Sequence, residues 1–327
     1  MIISRTPFRI SFVGGGTDLR SFYSEEPGQV LSTSIDKYIY VVVKRQIGIV
    51  EYKYRINWST VEFKNRIEDI EHPIVREALI LIGIDFPIEV TTFADIPAGT
   101  GLGSSSSFTV GLIQALYALK REMITKHKLA ECAARIEMDV LRRSMGKQDH
   151  YAAAYGDLNV LTFQANEKVL VDPVFYDPEV RQRLEARLLL FYTAVKRDAS
   201  DILQVQDAET AKKRGVLQQM KALVNPLRDI IVSGENLSRF GELLHENWRL
   251  KKSLTDLISS NEIDEYYAKA RKAGAIGGKL LGAGGGGFFL FYVEPDKQQS
   301  VKEALKDLYH LKTGFDNSGA RITYYDR

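Results

Sequence analysis

Residues 97–108 read PAGTGLGSSSSF, and they constrain the fold more than any other stretch of the chain. Glycines stand at 99, 101 and 103, serines fill 104–107, and the apolar run FTVGLIQALYALK (108–120) begins at once. Glycines remove Cβ atoms, so successive backbone N–H groups turn inward on an anion. Serines at a helix start cap it and add hydroxyls, and the helix N-terminus directs about half a positive charge at whatever sits there. A run that is apolar nearly all round predicts a buried helix. With the strand PIEVTTFADI (87–96) before it, the stretch reads as strand, cradle and helix, a backbone site for the phosphates of a nucleotide. A flexible Gly/Ser linker is the plain alternative, but linkers seldom run straight into an apolar helix. The Gly-Lys-Ser/Thr ending of the usual P-loop is missing, so the charge it would supply must come from elsewhere.

Two further glycine clusters support the phosphate reading. TPFRISFVGGGTDL (6–19) is a short strand carrying Arg9, then three glycines, then Thr17 and Asp18. A tight turn capped by Asp18 is its plain alternative. GAGGGGF (282–288) reads either as a hairpin or as backbone approaching a ligand or another backbone, since four consecutive glycines weaken a hairpin.

A length of 327 residues favours two domains. A net charge of +2 argues against a dedicated nucleic-acid binder. The single cysteine, Cys132, excludes an internal disulfide framework and fits a reducing compartment. No signal-peptide core and no apolar run of roughly 18 residues is present, so the expectation is a cytoplasmic protein that spans no membrane. IDKYIYVVV (35–43) reads as a strand. Residues 127–143 read as an amphipathic helix with Leu129, Ala130, Ala133, Ile136, Val140 and Leu141 on one arc. In the second half, ARLLLFYTAV (186–195) reads as a strand, helices follow near 204–223, 239–259 and 263–273, and GKLLGAGGGGFFLFYVE (278–294) reads as two strands. A helix near 297–309 and a strand RITYY (321–325) close the chain. The order β-α-β-β-α-β predicts a ferredoxin-like second domain. Domains of 1–175 and 176–327 are expected, joined near VDPVFYDPEV (171–180).

Together and in this order, TPFRISFVGGGTD, PAGTGLGSSSS and KLLGAGGGGF resemble the three motifs of the GHMP kinase superfamily, which includes galactokinase, homoserine kinase, mevalonate kinase and phosphomevalonate kinase. The resemblance spans almost the whole chain. It implies an α+β fold with an N-terminal ribosomal protein S5 domain 2-like domain and a C-terminal ferredoxin-like domain. Galactokinases carry Gly-Glu-His before the Thr-Asp of the first motif, where this chain has Gly14-Gly15-Gly16. GGGTD, SIDKYIYVVV, EHPIVREAL (71–79), GKQDHYAAAYG (146–156) and FYTAVKRDASDIL (191–203) are most similar to the D-glycero-D-manno-heptose 7-phosphate kinases, with the kinase portion of L-fucokinase a close cousin.

The resemblance implies ATP held by Gly99, Gly101, Leu102, Gly103, Ser104, Ser105 and Ser106. It implies Mg2+ held by Ser105 and Glu137, with Ser104 as substitute if the register moves by one. By periodicity Glu137 falls inside the apolar arc, where a lone carboxylate is expensive unless paired or bound to metal; a salt bridge to a neighbouring arginine is the alternative. Asp149 matches the aspartate that orients or deprotonates the acceptor hydroxyl, while locally it reads equally well as a helix N-cap. Arg9 matches the arginine beside that aspartate, able to stabilise charge on the transferring phosphoryl; an exposed arginine in a salt bridge is its alternative. Thr17 and Asp18, with Gly15, Gly16, Gly284 and Gly285, match the sugar side, and carboxylates suit vicinal diols. A phosphate on the sugar needs basic residues; Lys147, His150, Lys196, Arg197 and Arg20 lie near the motifs, but most surface Lys and Arg residues are merely solvated, and none is assigned. Trp58 reads as core or surface. The expectation is a sugar kinase acting at the anomeric O1 of a heptose 7-phosphate. An L-fucokinase-like enzyme, a silent ATP/sugar sensor and a nucleotide-binding structural protein are the alternatives. The expected partner is a small sugar phosphate, not a nucleic acid, and a homodimer is left open.

Overall fold

The structure is a computed structural model and describes residues 1–195 and 199–326. The chain opens with β1 (Ile2–Val13), a one-turn α1 (Arg20–Tyr23) and the long β2 (Gly28–Arg45). A small ribbon of β3 (Tyr54–Asn57) and β4 (Val61–Lys64) follows, then α2 (Pro73–Ile82) and β5 (Ile88–Ala94). The buried helix is α3 (Ser104–Leu119), followed by α4 (Lys126–Ala134) and α5 (Gln148–Tyr155). β6 (Leu158–Phe163), β7 (Val169–Pro173) and α6 (Pro178–Glu185) lead to β8 (Leu188–Tyr192). Four helices come next: α7 (Ala199–Ala222), α8 (Val224–Ser233), α9 (Ser238–Lys252) and α10 (Asn261–Lys272). The chain ends with β9 (Gly277–Leu280), β10 (Phe288–Tyr292), α11 (Gln298–Ala304), β11 (Tyr309–Leu311), β12 (Phe315–Asp316) and β13 (Arg321–Tyr325).

One nine-stranded sheet is built around β2, which pairs with β1, β5, β6 and β12. Its ladders are antiparallel except where β3 runs parallel to β5. Helix α3 lies across β1 and β2. Leu112, Ile113 and Leu116 on it are fully buried, each contributing about 2 kcal/mol through removal of apolar surface from water. The Ser4 hydroxyl donates to the Gly111 carbonyl in mid-helix at 2.7 Å, pinning the helix to the sheet.

The second sheet has the order β11-β8-β10-β9, which is fourth, first, third, second by occurrence. This is the expected ferredoxin-like arrangement. The fourth strand, however, is Tyr309–Leu311 and not RITYY: β13 crosses back to pair antiparallel with β1 in the large sheet, and β12 pairs with β2. The apolar run FFLFY is explained by burial on both faces. Phe288, Leu290 and Tyr292 face the larger core, while Phe289 and Phe291 face a second core with Trp248, Tyr267 and Val301.

The expected helix at 127–143 is interrupted. After Ala134 the chain takes a π-helical turn, Arg135–Val140. Ile136 and Glu137 stay buried, but the wider turn rotates Val140 out of the arc and leaves it exposed. Among the described residues, no helix is long and apolar enough to cross a membrane.

Candidate active site

The cradle sits between β5 and α3. Gly99, Gly101 and Gly103 all have φ near +80°, the left-handed region that glycine tolerates. Helix α3 starts directly at Ser104, so the N–H groups of Ser104–Ser106 have no helical partner. A Cβ on Gly103 would stand 3.2 Å from Asp149 Oδ2 and 3.3 Å from Arg9 Cγ. A Cβ on Gly101 would stand 2.6 Å from the Leu281 carbonyl oxygen, and the Phe288 N–H donates to the Thr100 carbonyl at 3.2 Å. The glycines of the 97–108 and 282–288 stretches therefore let two backbones cross in contact. Ser104, Ser105 and Ser106 line a cavity of about 950 Å³. The buried Ser106 hydroxyl has no hydrogen-bond partner among the described residues, whereas Ser107 turns away to donate to the Pro7 carbonyl at 2.9 Å. Leu102 is a core residue; its carbonyl accepts from the Arg9 N–H at 3.2 Å.

Arg9 and Asp149 meet beside this loop. The guanidinium donates through Nε to Oδ1 and through Nη2 to Oδ2, both at 2.7 Å, and through Nη1 to the Gly101 carbonyl at 2.6 Å. Arg9 is buried, not exposed. Asp149 lies in the first turn of α5, whose N-cap position is held by Lys147 with no side-chain cap, so the N-cap reading does not hold. Asp18 closes the same wall. Its carboxylate accepts from the Gly16 N–H at 2.9 Å and the Gln148 N–H at 3.3 Å. Burial and the charge of Asp149 push its carboxyl above the usual range, against those two N–H groups.

Glu137 is fully buried on the π-helical turn. Its oxygens accept from the Ser105 hydroxyl, from Arg143 Nη1 at 2.7 Å and from the Thr109 hydroxyl at 2.8 Å, and they lie 3.2 Å from His150 Nε2. Burial alone would raise its carboxyl, but His150, the Ser105 hydroxyl and Arg143 outweigh burial and hold it at about 2. The expected salt bridge to an arginine thus exists, and it is made on the same oxygen that Ser105 touches. Among the described residues no three His, Cys, Asp or Glu side chains converge as a metal cage. Ser105 and Glu137 are two hard oxygen donors beside a phosphate cradle, a set that suits Mg2+ completed by phosphate and water oxygens.

Arg9, Gly15, Gly16, Asp18, Gly99, Gly101, Gly103, Glu137, Asp149 and Gly284 all line the cavity. Thr17 does not: its buried hydroxyl braces the turn against the Gly14 and Gln29 carbonyls at 2.8 and 2.9 Å. Gly285 is also off the wall, its N–H donating to the Ile258 carbonyl at 2.8 Å. Of the basic residues considered for a sugar phosphate, Lys147 pairs with Glu167, Arg20 pairs with Asp139 and Glu167 at the surface, and His150 is held by Glu137. Lys196 and Arg197 lie outside the described residues. Trp58, read as core or surface, is exposed and also lines the cavity, where it forms with His72 and Phe108 a cluster of rings 4.7 and 5.0 Å apart. Sequence reasoning missed Arg143 and two lysines, Lys251 and Lys279, which also line the cavity.

Residues 72–157 match the GHMP kinases N terminal domain and residues 220–311 match the GHMP kinases C terminal family. The chain is 32% identical over 319 residues to a D-glycero-alpha-D-manno-heptose 7-phosphate kinase from Campylobacter jejuni, covering 93% of each chain. It is 23% identical over 350 residues to a Pyrococcus furiosus galactokinase, covering 95% of this chain and 94% of that one. In fold it is similar to the crystal structure of a D-glycero-D-manno-heptose 1-phosphate kinase from Bacteroides thetaiotaomicron, with a TM-score of 0.82, 23% identity and full coverage of both chains. The motifs, the two-sheet architecture and these matches converge: the chain belongs to the GHMP kinase family, whose members are ATP-dependent kinases.

Proposed function

We propose that the protein is an ATP- and Mg2+-dependent sugar kinase that phosphorylates the anomeric O1 of D-glycero-D-manno-heptose 7-phosphate, giving the 1,7-bisphosphate. The carrying observation is the Arg9–Asp149 pair placed against Gly101 and Gly103, one reaction centre at the mouth of a phosphate cradle. Likeness to a heptose 7-phosphate kinase over 93% of the chain supports the choice of sugar.

In this reading the glycine loop and the N-terminus of α3 hold the nucleotide phosphates, and the Trp58–His72–Phe108 rings offer faces for the base. Ser105 and Glu137 would hold Mg2+, which when bound neutralises phosphate charge. Asp18, with Gly15 and Gly16 beside it on the cavity wall, faces the sugar hydroxyls. Asp149 accepts a hydrogen bond from the anomeric hydroxyl and takes its proton as that oxygen bonds to the terminal phosphorus and ADP departs. Arg9 fixes Asp149 and lies where charge on the moving phosphoryl develops. Phosphoryl transfer needs this alignment and charge stabilisation more than covalent help.

The test is ADP release with ATP and Mg2+ against D-glycero-D-manno-heptose 7-phosphate, the unphosphorylated heptose, L-fucose, D-galactose and mannose 6-phosphate, with product position read by phosphorus NMR. Turnover confined to the heptose 7-phosphate with a new anomeric phosphate is expected. Preference for an unphosphorylated sugar would overturn the substrate, and silence across the panel with ATP still bound would overturn the activity.

A further inference from the structure

Helix α9 carries an apolar stripe of Phe240, Leu243, Leu244 and Trp248 toward the protein interior, and Lys251 continues that stripe. Its ammonium is buried, lines the cavity, and donates to the carbonyls of Leu280 (3.4 Å) and Gly282. No carboxylate forms an ion pair with it among the described residues. Lys279 lies on β9 beside it, donating to the Ser11 and Phe12 carbonyls at 2.8 and 2.9 Å. The charged groups that reach Lys251 are Arg9 and Asp18, and Lys279 feels both Lys251 and Arg9. Three basic side chains thus crowd one end of a cavity whose nearest acids are already engaged, Asp149 by Arg9 and Asp18 by backbone N–H groups.

A buried lysine without an acid is a poor structural device, because methionine or leucine would fill the same stripe without desolvating an amine. An ammonium has three donors; two carbonyls occupy two, and one is left toward the cavity. Gly282, whose carbonyl it holds, is the residue that touches Gly101 of the phosphate cradle, with a Cβ on Gly282 standing 2.5 Å from the Gly101 Cα. We propose that Lys251, backed by Lys279, is an anion-binding residue that contacts a phosphate group of a bound substrate. The inference rests on the kinase reading for the identity of that substrate, and the ligand chemistry is a phosphate dianion, carried either by the sugar or by the end of the nucleotide. Burial and Arg9 hold the Lys251 ammonium down at about 7. A phosphate bound there restores the charge, so binding draws a proton from solvent.

Calorimetric titration at pH 8 in two buffers of different ionisation enthalpy counts that proton. The probes are inorganic phosphate, D-glycero-D-manno-heptose 7-phosphate, ADP and a non-hydrolysable imido analogue of ATP. Phosphate monoesters are already dianions at this pH, so uptake approaching one proton per site is expected with at least one probe. Lys251→Met abolishes the uptake and weakens that probe at least tenfold, while Lys251→Arg keeps affinity without uptake. Uptake with the sugar phosphate alone assigns Lys251 to the phosphate the sugar carries. Uptake with the imido analogue but not ADP assigns it to the terminal phosphoryl. Phosphate probes that bind without uptake, that bind Lys251→Met unchanged, or that do not bind at all overturn the proposal. Failure of the kinase reading has its own signature, no ADP release with any sugar, and the inorganic phosphate titration still reads Lys251 in that case.

Discussion

Replacing Lys251 by methionine removes an amine that the fold holds against its chemistry. Burial and Arg9 bring the ammonium from 10.5 to about 7. At about 1.4 kcal/mol per pH unit, the depression costs the folded state about 4 kcal/mol at pH 7. The sign follows from proton counting. Between about 7 and 10.5 the unfolded chain binds more protons at this lysine than the folded one, so wild-type stability rises with pH across that window. At pH 9 the cost has fallen to about 2 kcal/mol by the same arithmetic. Methionine forfeits the hydrogen bonds to Leu280 and Gly282, worth about 1 kcal/mol each. Lys251→Met is therefore expected to stabilise the protein by about 2 kcal/mol at pH 7 and by close to nothing at pH 9, read by urea unfolding at both pH values. A variant that is destabilised at pH 7, or whose difference from wild type does not change with pH, would refute the reasoning.

Asp149→Asn should lower kcat about a thousandfold while ATP binding, followed by calorimetry, survives; near-wild-type turnover removes Asp149 from the reaction. Glu137→Gln strands the buried His150 and the Arg143 guanidinium, so about 3 kcal/mol of stability should be lost together with Mg2+-dependent ADP release. An unchanged melting temperature and Mg2+ titration would contradict both roles. Gly101→Ala forces a Cβ to within 2.6 Å of the Leu281 carbonyl oxygen, whereas a Cβ on Gly99 meets nothing within 4 Å. Both positions have positive φ, so the pair isolates the contact: Gly101→Ala should cost about 2 kcal/mol more than Gly99→Ala in urea unfolding.

Helix α3 and its cradle were legible because local pattern and tertiary role agree: a helix apolar all round is buried wherever it goes. RITYY was legible as a strand but not as a member of the large sheet. Its residues fix a β conformation, while its partner is set by the free edge of β1, hundreds of residues away in sequence. Asp149 was ambiguous for the same reason, since Gln-Asp-His before an alanine run fits a cap and the arginine that claims it is 140 residues distant. The π-helical turn that carries Glu137 left no signal in spacing, so the arc drawn through Val140 went wrong. Lys251 is different. Positions 240, 243, 244, 247, 248 and 251 recur at helical spacing, and a lysine at the end of that series breaks the apolar pattern in plain view.

The charge arrangement also bears on what Asp149 can do. Both of its oxygens accept from one guanidinium at 2.7 Å, so the carboxylate is fixed in orientation by a bidentate pair. Each oxygen still has a second lone pair, enough to accept one hydrogen bond from an incoming hydroxyl and to aim it. An anomeric hydroxyl is more acidic than an ordinary alcohol, so it demands less of the base that takes its proton. Glu137 instead meets Arg143 through one oxygen only, the one that Ser105 touches. A magnesium ion held by Ser105 and Glu137 would take the guanidinium's place on that oxygen and, being divalent, would make the site more positive. Lys251 stands apart, a cation without an acid partner among the described residues. Phosphate binding at that lysine therefore draws a proton from solvent, whereas metal binding at Glu137 displaces a guanidinium from a carboxylate.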